Sequence, residues 1–224
     1  MRLNLYVEDT AGRAAYERLA RKWCELQGIP CEQVRAIARP LNDILDKMRL
    51  LVENAVRDGF DCIVFVVDQE VVPERKRQIR MIHQQCELIC RSLADSDRVN
   101  VTVGLVVART CLECWILADV QAVVKSACGK NRRGYYVATQ HGNTQLLTPK
   151  DAANAITHIL REVGRRAGKQ DTGRIKYEKS AVADIAAKIE NLPVASLRNK
   201  SLAEFCERVT CKQSDCGRQL DWSQ

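Results

Sequence analysis

Acidic residues follow three apolar, strand-like segments of this chain. The segments with their acids are Arg2–Val7 with Glu8, Asp61–Val67 with Asp68 and Glu70, and Val99–Ala108 with Glu113. Because the carboxyl ends of parallel strands share one edge of a sheet, we expect these acids to converge there. Converging carboxylates repel one another unless a proton or a cation neutralises them. Since carboxylate oxygens are ligands that Mg2+ and Mn2+ prefer, the sequence predicts a site for one of these ions.

Glu113 is the most unusual of these acids, because it lies in a strongly apolar stretch. Such a carboxylate needs a partner, which is either a metal ion or Arg109 four residues earlier. Asp68 and Glu70 alternate in an extended segment, so both can face one cation. Two divalent ions about 3.5–4 Å apart can hold the attacking and leaving oxygens of a phosphodiester. The alternative is that Glu8 and the pair after the third strand are solvated turn residues.

Alternating strand-like and helix-like segments are the elements that must position these acids. The pattern β-α-β-α-β-α-β-α predicts an α/β fold with a parallel sheet flanked by helices. Asp9 and Thr10 supply capping chemistry for the first helix. The predicted strands are Arg2–Glu8, Glu32–Ala38, Cys62–Val67 and Val99–Ala108, and the predicted helices are Gly12–Gln27, Asn42–Arg57, Pro73–Leu93 and Leu112–Ala127.

The remainder of the chain is predicted to be a helical extension packed on this α/β domain. We place the domain at residues 1–140, the extension at residues 141–210 and a polar tail at residues 211–224. Predicted within these parts are a short edge strand at Gly134–Thr139 and helices at Ala152–Arg165, Ser180–Glu190 and Leu197–Val209.

The net charge of the chain is +7, and its basic residues are unevenly placed, with clusters at Lys125–Arg133 and Arg161–Lys176. A basic surface suits a polyanion such as nucleic acid, and a solvated helix face is the alternative. Candidates for contact with phosphate or nucleic acid are Arg109, Lys130, Arg132, Arg133, Lys150, Arg165 and Arg166.

The eleven cysteines favour buried, reduced thiols, because their number is odd and several lie inside apolar patterns. Cys111 and Cys114 have zinc-like spacing, but no second matching pair follows. No apolar stretch approaches the roughly 20 residues of a membrane helix, so we expect a cytoplasmic protein without membrane contact. The first strand is followed by neither a P-loop lysine motif nor a glycine-rich dinucleotide turn.

Three stretches of the chain resemble the TOPRIM superfamily, whose members place a Glu after the first strand and an Asp-x-Asp after a later one. They are Leu5–Glu8, Val66–Glu70 and Glu113–Asp119. More closely, the chain is similar to the bacterial TOPRIM-like family called domain of unknown function 4276. Thr148–Lys150, Tyr177–Lys179 and Ser201–Phe205 fit the C-terminal half of that family. The resemblance spans most of the chain, and its most specific part is Glu113–Asp119.

This resemblance implies a TOPRIM-like Rossmannoid sheet and a Mg2+- or Mn2+-dependent nuclease acting on DNA or RNA. It implies an effector subunit in bacterial antiviral defence against phage, working with an ATPase partner of the SMC or ABC type. The chain departs from the family in having Glu70 at the second acid and Asp9 in place of a glycine. By resemblance the catalytic metal ligands are Glu8, Asp68, Glu70 and Glu113, with Asp119 as a further candidate.

Two rival functions fit the same residues. The first is a non-catalytic subunit that binds an ATPase or a toxin, in which Glu113 pairs with Arg109. The second is a regulator that binds a free nucleotide without cleaving it. The sequence leaves open the substrate, DNA or RNA, and whether the chain forms a homo-oligomer.

Overall fold

The computed structural model describes residues 1–69, 73–94, 101–109, 111–128 and 147–211. Its sheet has four parallel strands in the order β2-β1-β3-β4. The strands are β1 at Arg2–Val7, β2 at Gln33–Ala38, β3 at Cys62–Gln69 and β4 at Thr102–Arg109. The chain therefore has a Rossmann-like α/β fold with helices on both faces of the sheet, and the predicted fold class is confirmed.

Nine α-helices surround the sheet in the described part of the chain. Two 3-10 turns, at Thr172–Arg174 and Lys179–Ala181, lie between α6 and α7. No helix of the described residues is long and apolar enough to cross a membrane. The helices are α1 at Arg13–Leu26, α2 at Leu41–Arg57, α3 at Pro73–Ala94, α4 at Leu112–Leu117, α5 at Val120–Cys128, α6 at Pro149–Arg166, α7 at Val182–Ala187, α8 at Leu192–Arg198 and α9 at Lys200–Arg208.

Two predicted helices are broken by residues whose side chains cap a new helix. The helix expected at Leu112–Ala127 is two helices, because Asp119 Oδ1 accepts hydrogen bonds from the first backbone amides of α5. The helix expected at Leu197–Val209 is interrupted at Asn199, whose Oδ1 accepts from the backbone N of Leu202. The helix expected at Ser180–Glu190 is shorter, since it begins as a 3-10 turn. The strand expected at Gly134–Thr139 lies outside the described residues.

Alternate residues of each strand enter two separate cores. Leu5 and Val64 face the core shared with α1 and with α4–α9, whereas Tyr6 and Phe65 face the core shared with α2 and α3. Side chains that alternate between two covered faces explain why these strands are almost continuously apolar. The rings of Tyr6 and Phe65 stack with centroids 5.1 Å apart.

The C-terminal helices are part of the first core. The rings of Tyr16 on α1, Trp115 on α4 and Phe205 on α9 lie within 6.0 Å of one another and are buried. Helix α9 also packs against β4. Helices α6–α9 therefore pack in the core that covers this face of the sheet, and the predicted boundary near residue 140 lies outside the described ranges.

Two cysteines depart from the expectation of reduced thiols. Cys62 on β3 and Cys211 after α9 form a disulfide, with Cα atoms 6.1 Å apart. The packing of α9 on the neighbouring strand brings these distant positions together. The eight other cysteines of the described ranges are in the thiol form.

We expect Ser201→Ala to reduce the free energy of unfolding by about 1–3 kcal/mol, because it leaves a buried donor unpaired. The indole N–H of Trp115 donates to Ser201 Oγ at 2.8 Å, and both residues are buried. Urea unfolding measures the change. The control is Ser92→Ala on the exposed side of α3, which should change the free energy little, and equal effects of the two substitutions would contradict the prediction.

Candidate acidic site at the carboxyl edge of the sheet

The structure brings acids from three parts of the chain to the carboxyl edge of the sheet. Glu8 directly follows β1, and its Oε2 accepts a hydrogen bond of 3.3 Å from the backbone N of Asp68 at the end of β3. Glu113 lies in the first turn of α4, two residues into the helix that follows β4, and is only 5% exposed. The parallel direction of the strands is what places these side chains at one edge.

Arg75 is the partner that the structure gives to Glu8. Its guanidinium forms an ion pair with Glu8 Oε2, and its Nε donates to the backbone O of Asp68 at 3.0 Å. Arg75 lies in the first turn of α3 and is only 8% exposed. One buried arginine therefore holds Glu8 against the end of β3.

Lys179 is the partner of a fourth acid, Asp9. Lys179 Nζ lies 2.8 Å from Asp9 Oδ2, and the Asp9 side chain is 13% exposed. The other oxygen of Asp9 accepts from the backbone N of Ala11. The expected capping of the first helix by Asp9 is therefore wrong, because the N-cap residue of α1 is Gly12 and Asp9 caps the turn before it.

Tyr177 is the partner that the structure shows for Glu113. Its hydroxyl donates to Glu113 Oε1 at 3.3 Å, and its backbone N donates to Thr157 Oγ1 on α6 at 3.1 Å. Burial and the charge of Glu113 raise the pKa of Tyr177, so its hydroxyl stays protonated and remains a donor. The alternative partner, Arg109, ends β4, and its side chain lies outside the described part of the structure.

Burial and the neighbouring acids together make Asp68 harder to ionise than an ordinary aspartate. Burial, followed by the charges of Glu8 and Asp9, raises the pKa of Asp68 to about 7. Burial lowers the pKa of Lys179, but its hydrogen bond with Asp9 and the charges of Asp9, Glu113 and Asp68 outweigh that effect and raise it. Among the described residues, four carboxylates thus share the two cationic partners Arg75 and Lys179, which leaves an excess of negative charge within that part of the site.

This donor set fits a divalent cation in chemistry and charge. Carboxylate oxygens suit Mg2+ and Mn2+, and an ion would neutralise the excess charge that raises the pKa of Asp68. Among the described residues, however, no three His, Cys, Asp or Glu side chains lie close enough together to hold one ion as they stand. The acids that would have to approach one another are held by Arg75, Lys179 and Tyr177.

The other residues expected at the site are either elsewhere or outside the described ranges. Asp119 caps α5. Lys150 is exposed in the first turn of α6, and Arg165 and Arg166 pair with Glu162 in its last turn. The positions outside the described residues are Glu70, Lys130, Arg132 and Arg133.

Sequence reasoning missed the partners of the acids. Arg75, Lys76 and Arg77 follow one another in the sequence, and nothing in it singles out Arg75 as the one that is buried at the site. Tyr177 and Lys179 were singled out only by the family resemblance. Nothing in their spacing linked them to acids that are far away in the chain. Tyr16 contributes a buried ring beneath the acids, whose charges together with burial raise its pKa.

The fold and the site together define a Rossmann-like α/β protein with a partly buried acidic cluster at the carboxyl ends of its parallel strands. Comparison of the chain with known proteins gives no match to a protein-family model, to a curated protein or to a solved structure.

We expect the stability of the wild-type protein to fall between pH 5 and pH 8 because of Asp68. The pKa of Asp68 is about 7 in the folded protein and lies above the ordinary aspartate value of the unfolded chain. The folded state therefore binds this proton more tightly, and the stability it provides is lost as the pH rises through 7. Asp68→Asn should raise the free energy of unfolding by about 2–4 kcal/mol more at pH 8 than at pH 5.

Urea unfolding in EDTA at both pH values measures this difference. The matched control is Asp46→Asn on the exposed face of α2, which should leave the pH dependence as in the wild type. If the free energy of unfolding changed with pH equally in Asp68→Asn and the wild type, ionisation of Asp68 would cost the folded protein no stability, which would contradict the prediction.

Proposed function

We propose that this protein is a Mg2+- or Mn2+-dependent nuclease with a TOPRIM-like active site at the carboxyl edge of its sheet. The observation that carries the proposal is the convergence of Glu8, Asp68 and Glu113 at one edge of the sheet, where burial and the charges of Glu8 and Asp9 raise the pKa of Asp68 to about 7. Structural ion pairs alone would lower the pKa of a carboxyl, as Arg and Lys partners do. A surplus of carboxylate at strand ends is instead what a site built for a divalent cation requires.

Each acid and its partner has a separate part in this proposal. Glu8, Asp68 and Glu113 would hold the ion, joined by Glu70 on the basis of the sequence alone. A bound divalent cation lowers the pKa of water and neutralises charge on a phosphodiester. Arg75 fixes the position of Glu8, and Tyr177 orients Glu113 through its hydroxyl. These contacts reduce the freedom of the acids before any substrate binds.

The proposed surface for a nucleic-acid substrate extends along helix α6. Thr157 in the middle of α6 contacts Tyr177 and hence lies beside the acidic site. Lys150 and Arg165 lie roughly 10–12 Å along the helix axis to either side of Thr157. Both are exposed and would contact a backbone that passes the site, Arg165 in exchange for its ion pair with Glu162. This arrangement supports a nucleic-acid substrate, which is DNA or RNA.

The proposed cellular role is that of an effector subunit in bacterial antiviral defence, together with an ATPase of the SMC or ABC type. This part of the proposal rests on the resemblance of Glu113–Asp119 and the other quoted stretches to the TOPRIM-like family. An effector of this kind acts in the cytoplasm, where its nucleic-acid substrate is found.

A non-catalytic subunit that binds an ATPase, a toxin or a nucleotide is the second candidate. The observation in its favour is that Glu8 and Asp9 already have internal cationic partners in Arg75 and Lys179. In that function the acids and their partners would hold the edge of the sheet together. Metal binding separates the candidates, because only the nuclease requires it.

The test is cleavage of plasmid DNA, single-stranded DNA and total tRNA by the purified protein in Mg2+, Mn2+ or EDTA. We expect cleavage that needs metal and that falls by at least about a hundredfold in the double variant Glu8→Gln/Glu113→Gln. The double variant loses two metal ligands while keeping the shape of both side chains. Thermal unfolding of the same samples should show that Mn2+ stabilises the wild type but not the double variant.

The matched control is Glu25→Gln, which removes an exposed carboxylate of α1 far from the acidic site and should retain full activity. Absence of both cleavage and Mn2+ stabilisation in the wild type would favour the non-catalytic subunit. Stabilisation by Mn2+ without cleavage calls for the assay to be repeated with the ATPase partner present.

A further inference from the structure

Lys179 and Arg75 are the two cations of the acidic site, and they differ in how firmly they are held. Arg75 is buried and makes contacts to both Glu8 and the backbone of Asp68. Lys179 reaches the site from outside, since its side chain is 53% exposed and contacts the site at Asp9 Oδ2. The lysine can therefore leave at a much smaller cost in packing than the arginine.

The segment that carries Lys179 is fixed to the protein on its other side. Arg161 on α6 donates to the backbone O atoms of Ile175 and Gly173 at 2.9 and 3.0 Å. Tyr177 is held by Thr157 and contacts Glu113. These contacts hold the backbone near Lys179 in place. The Lys179 side chain is flexible, and its movement alone would break the contact with Asp9.

The charge that Lys179 supplies is of the kind that a divalent cation would supply. A lysine ammonium is a compact charge that carries only donors, so it binds carboxylate oxygens as a small cation does. The charges of Asp9, Glu113 and Asp68 all act on it. These three acids come from the turn after β1, from α4 and from β3, so Lys179 lies where acids from different elements converge.

We propose that Lys179 is the exchangeable counter-ion of the acidic site and that a divalent cation competes with it for the acids around Asp9. This inference rests on the proposed function, because it assumes that the site binds Mg2+ or Mn2+. In the absence of metal the ammonium pairs with Asp9 and neutralises part of the charge of the acids. Binding of the ion displaces Lys179 and lets the carboxylates approach one another.

The experiment measures the dissociation constant for Mn2+ by titration calorimetry, with the purified full chain at neutral pH and no substrate. The variants are Lys179→Met and Lys179→Gln, which keep a long side chain but lack the charge. The control is Lys176→Met, which removes an exposed charge three residues away on the same segment. The double variant Glu8→Gln/Glu113→Gln reports whether the measured Mn2+ is bound at this site.

We expect Mn2+ to bind about tenfold more tightly to both Lys179 variants than to the wild type, a change of about 1.4 kcal/mol. Lys176→Met should remain within about twofold of the wild type, because exposed charges at a distance are screened. Thermal unfolding in EDTA should show Lys179→Met to be less stable than the wild type, since Asp9 loses its partner. With saturating Mn2+ that difference should disappear or change sign.

Unchanged or weaker Mn2+ binding by folded Lys179 variants would overturn the inference while leaving a metal-dependent nuclease standing. An equal gain in affinity from Lys176→Met would also overturn it, since the effect would then be general electrostatics. Failure of the wild type and of every variant to bind millimolar Mn2+ would overturn both the inference and the proposed function.

Discussion

Repulsion between carboxylates at one edge of the sheet is the constraint on which the rest of the site depends. Parallel strands bring their carboxyl ends together, so acids that follow different strands are forced into one small volume. The protein meets this constraint with a buried arginine, a lysine that reaches in from outside and a tyrosine hydroxyl. Asp68 keeps a raised pKa in spite of these partners, so the negative charge of the cluster is neutralised only in part.

The helical extension is as much a part of the site as the sheet is. Tyr177 and Lys179 come from the extension, and each contacts an acid of the sheet domain. The same extension completes the core over one face of the sheet through Phe205, whose ring packs on Trp115 of α4. Removing the extension would expose that face and take away two partners of the acids, so the fold and the site depend on the same packing.

The course of the backbone follows from the sequence more completely than the site does. Apolar runs such as Cys62–Gln69 and the amphipathic segments between them indicate a parallel sheet, because both patterns reflect burial on covered faces. The broken helices at Asp119 and Asn199 were missed because a capping side chain and a helical surface residue look alike in one sequence. Contacts such as Tyr177 with Glu113 depend on tertiary packing, which local periodicity does not encode.

The distance along the chain between the acids and Lys179 has a consequence for synthesis on the ribosome. Glu8, Asp9, Asp68 and Glu113 have all been added to the chain by residue 113, whereas Lys179 is added 66 residues later. At a translation rate of roughly 5–20 residues per second, the nascent protein carries its acids for roughly 3–13 s before their lysine is made. During that interval Asp9 cannot form its ion pair with Lys179, whereas Glu8 and its partner Arg75 are both already part of the chain.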